Sequence, residues 1–243
     1  MTWKHTIRLG LQRQFGLDIV RFPGHDPLLN TVKLLSFYDV DCVVDVGANN
    51  GGFASSIREV GYKGRIISFE PLSKPFAALR RAAKGDDSWD AYQYAIGAKR
   101  ERVTINISGN SGLSSSVLPM LETHTAAAPN SHYVDSETVD QECLDSLLPG
   151  LGVTASDRTF IKMDVQGYEA PVIDGASGLL AGGGIIGMQL ELSLTPLYEG
   201  AMTYREGLGR AEDLGMNLMG LSPVFTNPES GRLLQFDAVF FKE

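Results

Sequence analysis

A short apolar segment that runs into a glycine-rich turn constrains the fold of this chain more than any other feature. Residues 42–46 read CVVDV, and their β-branched side chains predict a buried parallel strand. Gly47 allows a sharp turn and a close approach of a ligand, while Gly51 and Gly52 allow tight packing where a helix begins. Such a strand, turn and helix form a unit that holds a nucleotide-like ligand at the helix N-terminus.

Two cofactors compete for this unit, a nicotinamide dinucleotide and S-adenosylmethionine. Asp45 lies two residues before Gly47, and a carboxylate there would repel a pyrophosphate but accept the ammonium group of a methionine. Asn49 stands where the dinucleotide fingerprint has its middle glycine. Both observations favour S-adenosylmethionine and count against the alternative, an NAD-dependent oxidoreductase.

A second apolar strand, residues 65–69, ends immediately before Glu70 and Pro71. Glu70 follows the glycine-rich turn by roughly 20 residues, where nucleotide-binding units place the acid that binds both ribose hydroxyls. A third strand is predicted over residues 92–96, and we expect its end, from Ala95 to Gly97, to form a flat floor for adenine.

Four predicted strands end in acidic residues, which are Asp45, Glu70, Asp164 and Glu191. Because ligands of an open α/β sheet bind outside the carboxyl ends of its strands, these acids should form one acidic crevice. Such a crevice suits the sulfonium cation of S-adenosylmethionine. Its oxygen atoms could alternatively hold a divalent metal, although no metal site is predicted.

Composition limits the class of protein. The 243 residues, 43% of them hydrophobic, fit one α/β domain. A net charge of -8, without any run rich in Lys or Arg, argues against nucleic acid as a partner. Two cysteines, no apolar run long enough to span a membrane and no visible signal peptide predict a cytoplasmic protein.

The first part of the chain, residues 1–40, is predicted to be a helical extension of a domain at 41–243. An apolar residue recurs every four positions in this part, at Trp3, Ile7, Leu11 and Phe15. Pro23 and Gly24 break the chain after this helix. We favour packing of the helix on the domain or on a second subunit of a homodimer. The alternative is a basic amphipathic helix, within residues 1–20, that contacts the inner surface of a membrane.

An insertion over the site is predicted at residues 109–135. Residues 109–116 are rich in Gly and Ser, and residues 118–133 carry His124, His132 and two prolines. Long connections of this kind often serve as lids, and a plain surface loop is the alternative.

At these motifs the chain resembles the FkbM family of S-adenosylmethionine-dependent methyltransferases. Five motifs occur in order over about residues 40–241: Asp45 to Asn49, Ser68 to Pro71, Ser114 to Ser116, Ile161 to Glu169 and Glu191 to Gly200. The resemblance implies an α/β, Rossmann-like class I methyltransferase fold. Its sheet would be mostly parallel and seven-stranded, with an antiparallel C-terminal strand and helices on both faces. The two strands predicted at 216–221 and 233–241 agree with an antiparallel pair.

The resemblance also implies a cofactor site. Asp45, Gly47 and Asn49 would hold the methionine end of S-adenosylmethionine, and Glu70 the ribose. Ser114, Ser115 and Ser116 would close over the cofactor, and Gly51, Pro71, Ala95 and Asp164 complete the predicted set. Asn50 departs from the pattern, since many members have a small or apolar residue there.

The acceptor follows from the resemblance as well. Family members O-methylate sugars or other hydroxyls of antibiotics and glycolipids. Residues 65–71, 124–133 and 233–241 look like members that methylate deoxysugars of cell-envelope glycolipids. The expected substrate is therefore a small-molecule or lipid-linked glycoside.

Methyl transfer to a sugar hydroxyl calls for a base, since the hydroxyl is barely ionised at neutral pH. Asp164 and His132 are the favoured candidates and Glu191 is the third. Lys162 could pair with one of these acids and keep it ionised, or simply form a salt bridge at a strand end. A methyltransferase-like subunit without activity is a further alternative, against which the intact ribose and methionine motifs count.

Overall fold

The computed structural model of the chain describes residues 3–16 and 26–243. Pro23 and Gly24, the predicted break, lie outside the described residues. The strands are β1 (Cys42–Val46), β2 (Arg65–Phe69), β3 (Trp89–Tyr92), β4 (Ala95–Ile96), β5 (Glu101–Ser108), β6 (Tyr133–Glu142), β7 (Thr159–Met163), β8 (Ile185–Ser193), β9 (Met216–Thr226) and β10 (Leu233–Lys242). The helices are α1 (Trp3–Phe15), α2 (Pro27–Phe37), α3 (Gly52–Glu59), α4 (Ser73–Ala83), α5 (Glu122–Ala127), α6 (Leu144–Gly150), α7 (Glu169–Asp174), α8 (Ser177–Ala181) and α9 (Tyr204–Asp213).

The main sheet has seven strands in the order β3-β2-β1-β7-β8-β10-β9. Pairing is parallel from β3 to β8, and β10 runs antiparallel to both of its neighbours. This confirms the predicted Rossmann-like arrangement with an antiparallel C-terminal strand. The chain leaves β1 toward β2 on one side, and β7 lies on the other side. The turns after these strands therefore meet at a switch point, where open α/β sheets bind ligands.

Helices cover both faces of this sheet. On one face Leu35 of α2, Ile57 of α3 and Leu79 of α4 pack against buried residues of the strands. On the other face Leu144 of α6 and Val172 of α7 do the same. The central strands are buried on both faces, which is why their sequences are largely apolar, with one charged residue in each, Asp45 in β1 and Lys162 in β7.

Two strands differ from their predicted bounds. The strand predicted over residues 92–96 is divided, because β3 belongs to the main sheet while β4 pairs with β6 in a second sheet of order β4-β6-β5. At the other edge β9 continues through Pro223 to Thr226. A proline is tolerated there because β9 is an edge strand and one of its sides lacks a partner strand.

The predicted N-terminal helix is present as α1. Its apolar side chains Trp3, Ile7 and Phe15 are 70%, 50% and 64% exposed. Among the described residues, packing on the domain therefore leaves most of this stripe open. Helix α2, by contrast, is held on the sheet by buried Leu35 and by Tyr38, which follows the helix and stacks on Phe241 at 4.3 Å between ring centroids.

Candidate active site

A cavity opens at the switch point of the sheet, and its empty space, which includes open solvent at the mouth, is about 700 Å³. Most of the residues predicted to bind a cofactor line it, namely Gly47, Asn49, Glu70, Pro71, Ala95, Ser115, Ser116 and Asp164. Asp45, Gly51 and Ser114 belong to the predicted set but do not line it.

The turn after β1 is built for close approach. Gly47 has φ +78°, and a Cβ atom there would overlap the main-chain oxygen of Asp164. Asn49 also adopts positive φ, at +48°, a conformation that Asn tolerates better than most residues. The N–H groups of Gly47 and Ala48 donate to the oxygen of Phe69 at 3.1 and 3.0 Å, which ties the turn to the end of β2.

Glu70 joins this turn to the start of α4. Its Oε2 accepts the N–H of Asn49 at 2.9 Å and its Oε1 accepts the N–H of Leu72 at 2.8 Å. Each carboxylate oxygen has a second acceptor position, so Glu70 can still bind the two hydroxyls of a ribose. Burial raises the pKa of Glu70 to about 7, although the two N–H donors lower it.

Asp164 follows β7 on the opposite wall of the cavity. Its side chain is 33% exposed, and its Oδ2 pairs with Nζ of Lys162 at 3.2 Å. Its Oδ1 accepts the amide of Gln166 at 2.8 Å. Asp164 is therefore a fixed carboxylate in contact with both the cavity and solvent.

Asp45 lies behind the strand rather than in the cavity. Side chains alternate along β1, so that Val46 lines the cavity and Asp45 points to the opposite face. There its Oδ1 lies 3.4 Å from Nζ of Lys162. Burial raises the pKa of Asp45, and Lys162 opposes that shift. The structure thus gives Asp45 a partner inside the protein, and its contact with a cofactor stays a prediction.

Lys162 bridges the two acids. Burial alone would lower the pKa of Lys162, but Asp164 and Asp45 together raise it above its ordinary value. The cation is therefore retained, as in a strand-end salt bridge. This agrees with the predicted pairing of Lys162 with an acid at this edge of the sheet.

Gly51 contributes through packing. It precedes α3 with φ +86°, and a Cβ atom there would lie 3.1 Å from Leu79 and from the ring of Trp89. The glycine thus lets α3 approach α4 and the edge of the sheet. Gly51 does not line the cavity, and its contact with the cofactor stays a prediction.

Glu191 is buried beside the cavity wall. Its Oε2 accepts amide hydrogens from Gln166 at 2.7 Å and Gln235 at 3.0 Å. Burial raises its pKa well above the ordinary value, and the charge of Asp164 raises it further. The structure brings Glu191 to Asp164 through a shared amide, but it does not place Glu191 on the cavity surface.

The two histidines of the insertion lie apart from the cavity lining. His132 is exposed, and its Nδ1 lies 2.9 Å from the oxygen of Pro129. His124 is buried against Tyr198 and Phe225, and burial lowers its pKa to about 4. The position of His132 away from the cavity does not support its role as the base. That role stays a prediction.

Residues 112–117 of the predicted insertion form part of the wall. Gly112, Leu113, Ser115, Ser116 and Val117 line the cavity. Further along, α5 and a short 3₁₀ turn at Pro129–Ser131 pack outside it. The insertion thus contributes to the site, and its movement as a lid remains a prediction.

Sequence reasoning missed several cavity residues. Leu72, Tyr94, Ile105 and Tyr168 line the cavity, as does Gln166. Gln166 stands two residues after the strand-end Asp164, a position that could have identified it. The aromatic and aliphatic residues come from several separate elements, and only the tertiary fold brings them together.

Neither a metal site nor a membrane-spanning helix is found among the described residues. In the described ranges, no group of three or more His, Cys, Asp or Glu side chains is arranged to hold a metal ion. None of the helices described is long and apolar enough to cross a membrane.

Fold and site together define an α/β protein that holds a nucleotide-like ligand at the carboxyl edge of its sheet. The chain belongs to the FkbM methyltransferase family, since the model of the methyltransferase FkbM domain matches residues 45–220. That range contains the turn at Gly47, Glu70 and the strand end at Asp164. A comparison with curated protein sequences gives no match.

Several solved structures align with most of the chain at low identity. Precorrin-6y C5,15-methyltransferase from Geobacter metallireducens is 15% identical over 96% of this chain and 96% of that chain, with a TM-score of 0.46. Magnesium protoporphyrin IX methyltransferase from Synechocystis is 10% identical over 100% and 98%, with a TM-score of 0.45. A methyltransferase from Aquifex aeolicus is 13% identical over 87% and 88%, with a TM-score of 0.42. The family match, and not these distant similarities, carries the assignment.

Proposed function

We propose that this methyltransferase transfers the methyl group of S-adenosylmethionine to a hydroxyl group, and that the acceptor is a sugar, most specifically the deoxysugar of a glycolipid. The observation that carries the reaction type is the position of Asp164. Its carboxylate is partly exposed on the cavity wall, and its backbone contacts the turn at Gly47.

The residues of the cavity fit the cofactor. Glu70 keeps acceptor positions for ribose hydroxyls, and Gly47, which has no side chain, exposes its main chain to the cavity beside Asp164. Ala95 and Leu72 supply apolar surface for a flat base. When bound, S-adenosylmethionine supplies a methyl group that is already activated for displacement.

The protein's own contribution is then orientation and removal of a proton. A hydroxyl that approaches Asp164 can donate its hydrogen to the carboxylate, which would hold the proton once the methyl carbon had exchanged its bond to sulfur for a bond to that oxygen and left a neutral thioether. Nζ of Lys162 lies 3.2 Å from Oδ2 of Asp164 and holds the carboxylate in place through a charge-assisted hydrogen bond.

Two features support an acceptor with an apolar part. Leu113 lines the cavity while 61% of it is exposed, so it can contact a ligand that extends from the mouth. The exposed stripe of α1 supports contact with an anionic membrane surface, where a lipid-linked glycoside would be presented. A second subunit remains the alternative partner for this stripe.

The rival functions are less well supported. Membership in a methyltransferase family favours methyl transfer over NAD-dependent oxidoreduction. An inactive binding subunit would not require a partly exposed carboxylate fixed on the cavity wall, as Asp164 is.

The test is a screen of S-adenosylmethionine carrying a labelled methyl group against hydrophobic deoxyglycosides, free sugars and matched amine analogues, followed by mapping of the methylated position. We expect label on a sugar hydroxyl and not on the amines. Transfer to an amine or a carbon atom would overturn O-methylation. Binding of the cofactor without transfer to any acceptor would favour the inactive subunit.

A further inference from the structure

Gln166 occupies the centre of a polar network beside the cavity. It is buried, and it follows β7 with φ +53°, a conformation that a side chain other than Asn or Gly rarely adopts. Such a residue is retained only where its surroundings hold it in place. Here its side-chain amide and its main-chain oxygen all have partners.

The amide nitrogen of Gln166 links the two acids of this edge of the sheet. Nε2 donates to Oδ1 of Asp164 at 2.8 Å and to Oε2 of Glu191 at 2.7 Å. A primary amide has two hydrogens, so each carboxyl group receives one of them. Both donors of the side chain are thereby used.

The partners of this amide determine its orientation. The Tyr198 hydroxyl lies 2.7 Å from Oε1 of Gln166 and 3.2 Å from the oxygen of Ser114. If the amide were rotated, Oε1 would face Oδ1 of the Asp164 carboxylate, so that two acceptors would oppose each other. Nε2 therefore faces Asp164, and the hydroxyl of Tyr198 donates to Oε1.

The same residue also anchors the wall of the cavity. Oγ of Ser116 donates to the main-chain oxygen of Gln166 at 2.7 Å. Tyr198, through Ser114, contacts the same wall segment. A displacement of Gln166 would therefore shift both the cavity wall and the side chain of Asp164.

We propose that Gln166 is a positioning residue for methyl transfer, which directs the carboxylate of Asp164 into the cavity and aligns it with the wall formed by Ser114 to Ser116. The inference rests on the proposed function, because it gives Asp164 the role of proton acceptor. Gln166 itself acts through Asp164, whereas Glu191 holds the far side of the amide from a buried position.

The experiment compares Gln166→Met with Gln235→Met. Methionine keeps the length of glutamine but lacks its hydrogen-bonding groups. Gln235 is a buried amide that also donates to Glu191, at 3.0 Å, so its variant controls for loss of a buried amide without altering Asp164. The readouts are the dissociation constant of S-adenosylmethionine, by calorimetry, and kcat and KM with the glycoside found in the screen.

We expect Gln166→Met to lower kcat by about 10- to 100-fold, as for loss of orientation of a reacting group, while cofactor affinity changes by less than about threefold. Gln235→Met should retain the wild-type kcat and the wild-type cofactor affinity. An unchanged kcat for Gln166→Met, or an equal fall of kcat in both variants, would overturn the proposal.

A second readout does not depend on an acceptor. NMR of the wild-type protein would follow the exchange of side-chain amide hydrogens with solvent. Those of Gln166 should exchange far more slowly than those of Gln93, whose amide group forms its hydrogen bonds at the exposed surface. Exchange as fast as that of Gln93 would overturn the network itself. Absence of transfer by the wild-type enzyme, with slow exchange at Gln166, would instead refute the proposed function alone.

Discussion

The main chain of Gly47 packs against the main chain of Asp164 so closely that a Cβ atom at position 47 would overlap the Asp164 oxygen. Two strands that are adjacent in the sheet but more than a hundred residues apart in sequence thus meet at one point. Both residues line the cavity. Any side chain at position 47 must displace the loop that carries Asp164.

Gly47→Ala should therefore be costly. The matched control is Gly183→Ala, since Gly183 has a similar φ of +84° and nothing within 4 Å of an added Cβ. We expect the control to lose about 1 kcal/mol of unfolding free energy, the cost of positive φ alone, and Gly47→Ala about 3 kcal/mol or more. Urea denaturation measures both values, and equal losses would contradict the packing described here.

Glu70 should make cofactor affinity depend on pH. Burial raises the pKa of Glu70 to about 7, and the ionised form accepts ribose hydroxyls best. Affinity for S-adenosylmethionine should therefore increase as the pH rises toward about 7 and level off above it. Glu70→Gln should weaken binding by about 10- to 100-fold and remove most of this dependence.

The matched control for that variant is Glu169→Gln. Glu169 is also buried, accepts the N–H groups of Val165 and Gly167, and has a pKa raised by burial to about 7, yet it does not line the cavity. Calorimetry between about pH 5 and pH 9 should show that Glu169→Gln retains the increase in affinity. If Glu70→Gln also retains it, the ribose assignment is wrong.

The same shift has a consequence for folding. The folded protein holds the proton of Glu70 more tightly than the unfolded chain does, where the pKa is near 4.5. The contribution of this group to the unfolding free energy is therefore fully present below about pH 4.5 and is lost as the pH rises through about 7. Glu70→Gln should flatten this part of the stability profile in the absence of cofactor.

Replacement of Asp164 tests the reaction step. Asp164→Asn keeps the size of the side chain but cannot accept the proton, so kcat should fall by about 100-fold or more while the fold survives. Glu191→Gln, at a carboxyl that does not line the cavity, should lose less. Full activity of Asp164→Asn would contradict its role, and loss of wild-type activity with a chelator would make Asp164 and Glu191 candidate metal ligands.

Deletion of residues 1–20 tests the exposed stripe of α1. If Trp3, Ile7 and Phe15 contact anionic lipid, the deletion should reduce sedimentation with anionic vesicles and lower activity on a lipid-linked glycoside relative to a free one. Neutral vesicles are the control. Unchanged sedimentation, with a change from dimer to monomer in solution, would assign the stripe to a second subunit.

Local patterns in the sequence were sufficient to predict the main-chain positions around which the site is built. The turn at Gly47, the acid at Glu70 and the strand end at Asp164 each follow from a short apolar run with a fixed spacing. Such runs also indicated the parallel sheet and its antiparallel partner at β10. These features depend on neighbours within a few residues, which is why a single sequence contains them.

Side-chain direction and long-range partners were harder to predict. Strand alternation places Asp45 on the face opposite Val46. The prediction of a cofactor contact for Asp45 considered only its position near the end of the strand and not this alternation. The contacts of Gln166 with Glu191 and Tyr198 span 25 and 32 positions, and no local pattern encodes them. The extension of β9 through Pro223 likewise depends on its place at the edge of the sheet.

The most direct test of the account is a calorimetric titration of the wild-type protein with S-adenosylmethionine, with NAD as the competing ligand. We expect saturable one-to-one binding of S-adenosylmethionine, strongly weakened in Glu70→Gln, and no binding of NAD to the same cavity. Absence of S-adenosylmethionine binding, or binding that Glu70→Gln leaves unchanged, would contradict the assignment of this cavity as the cofactor site.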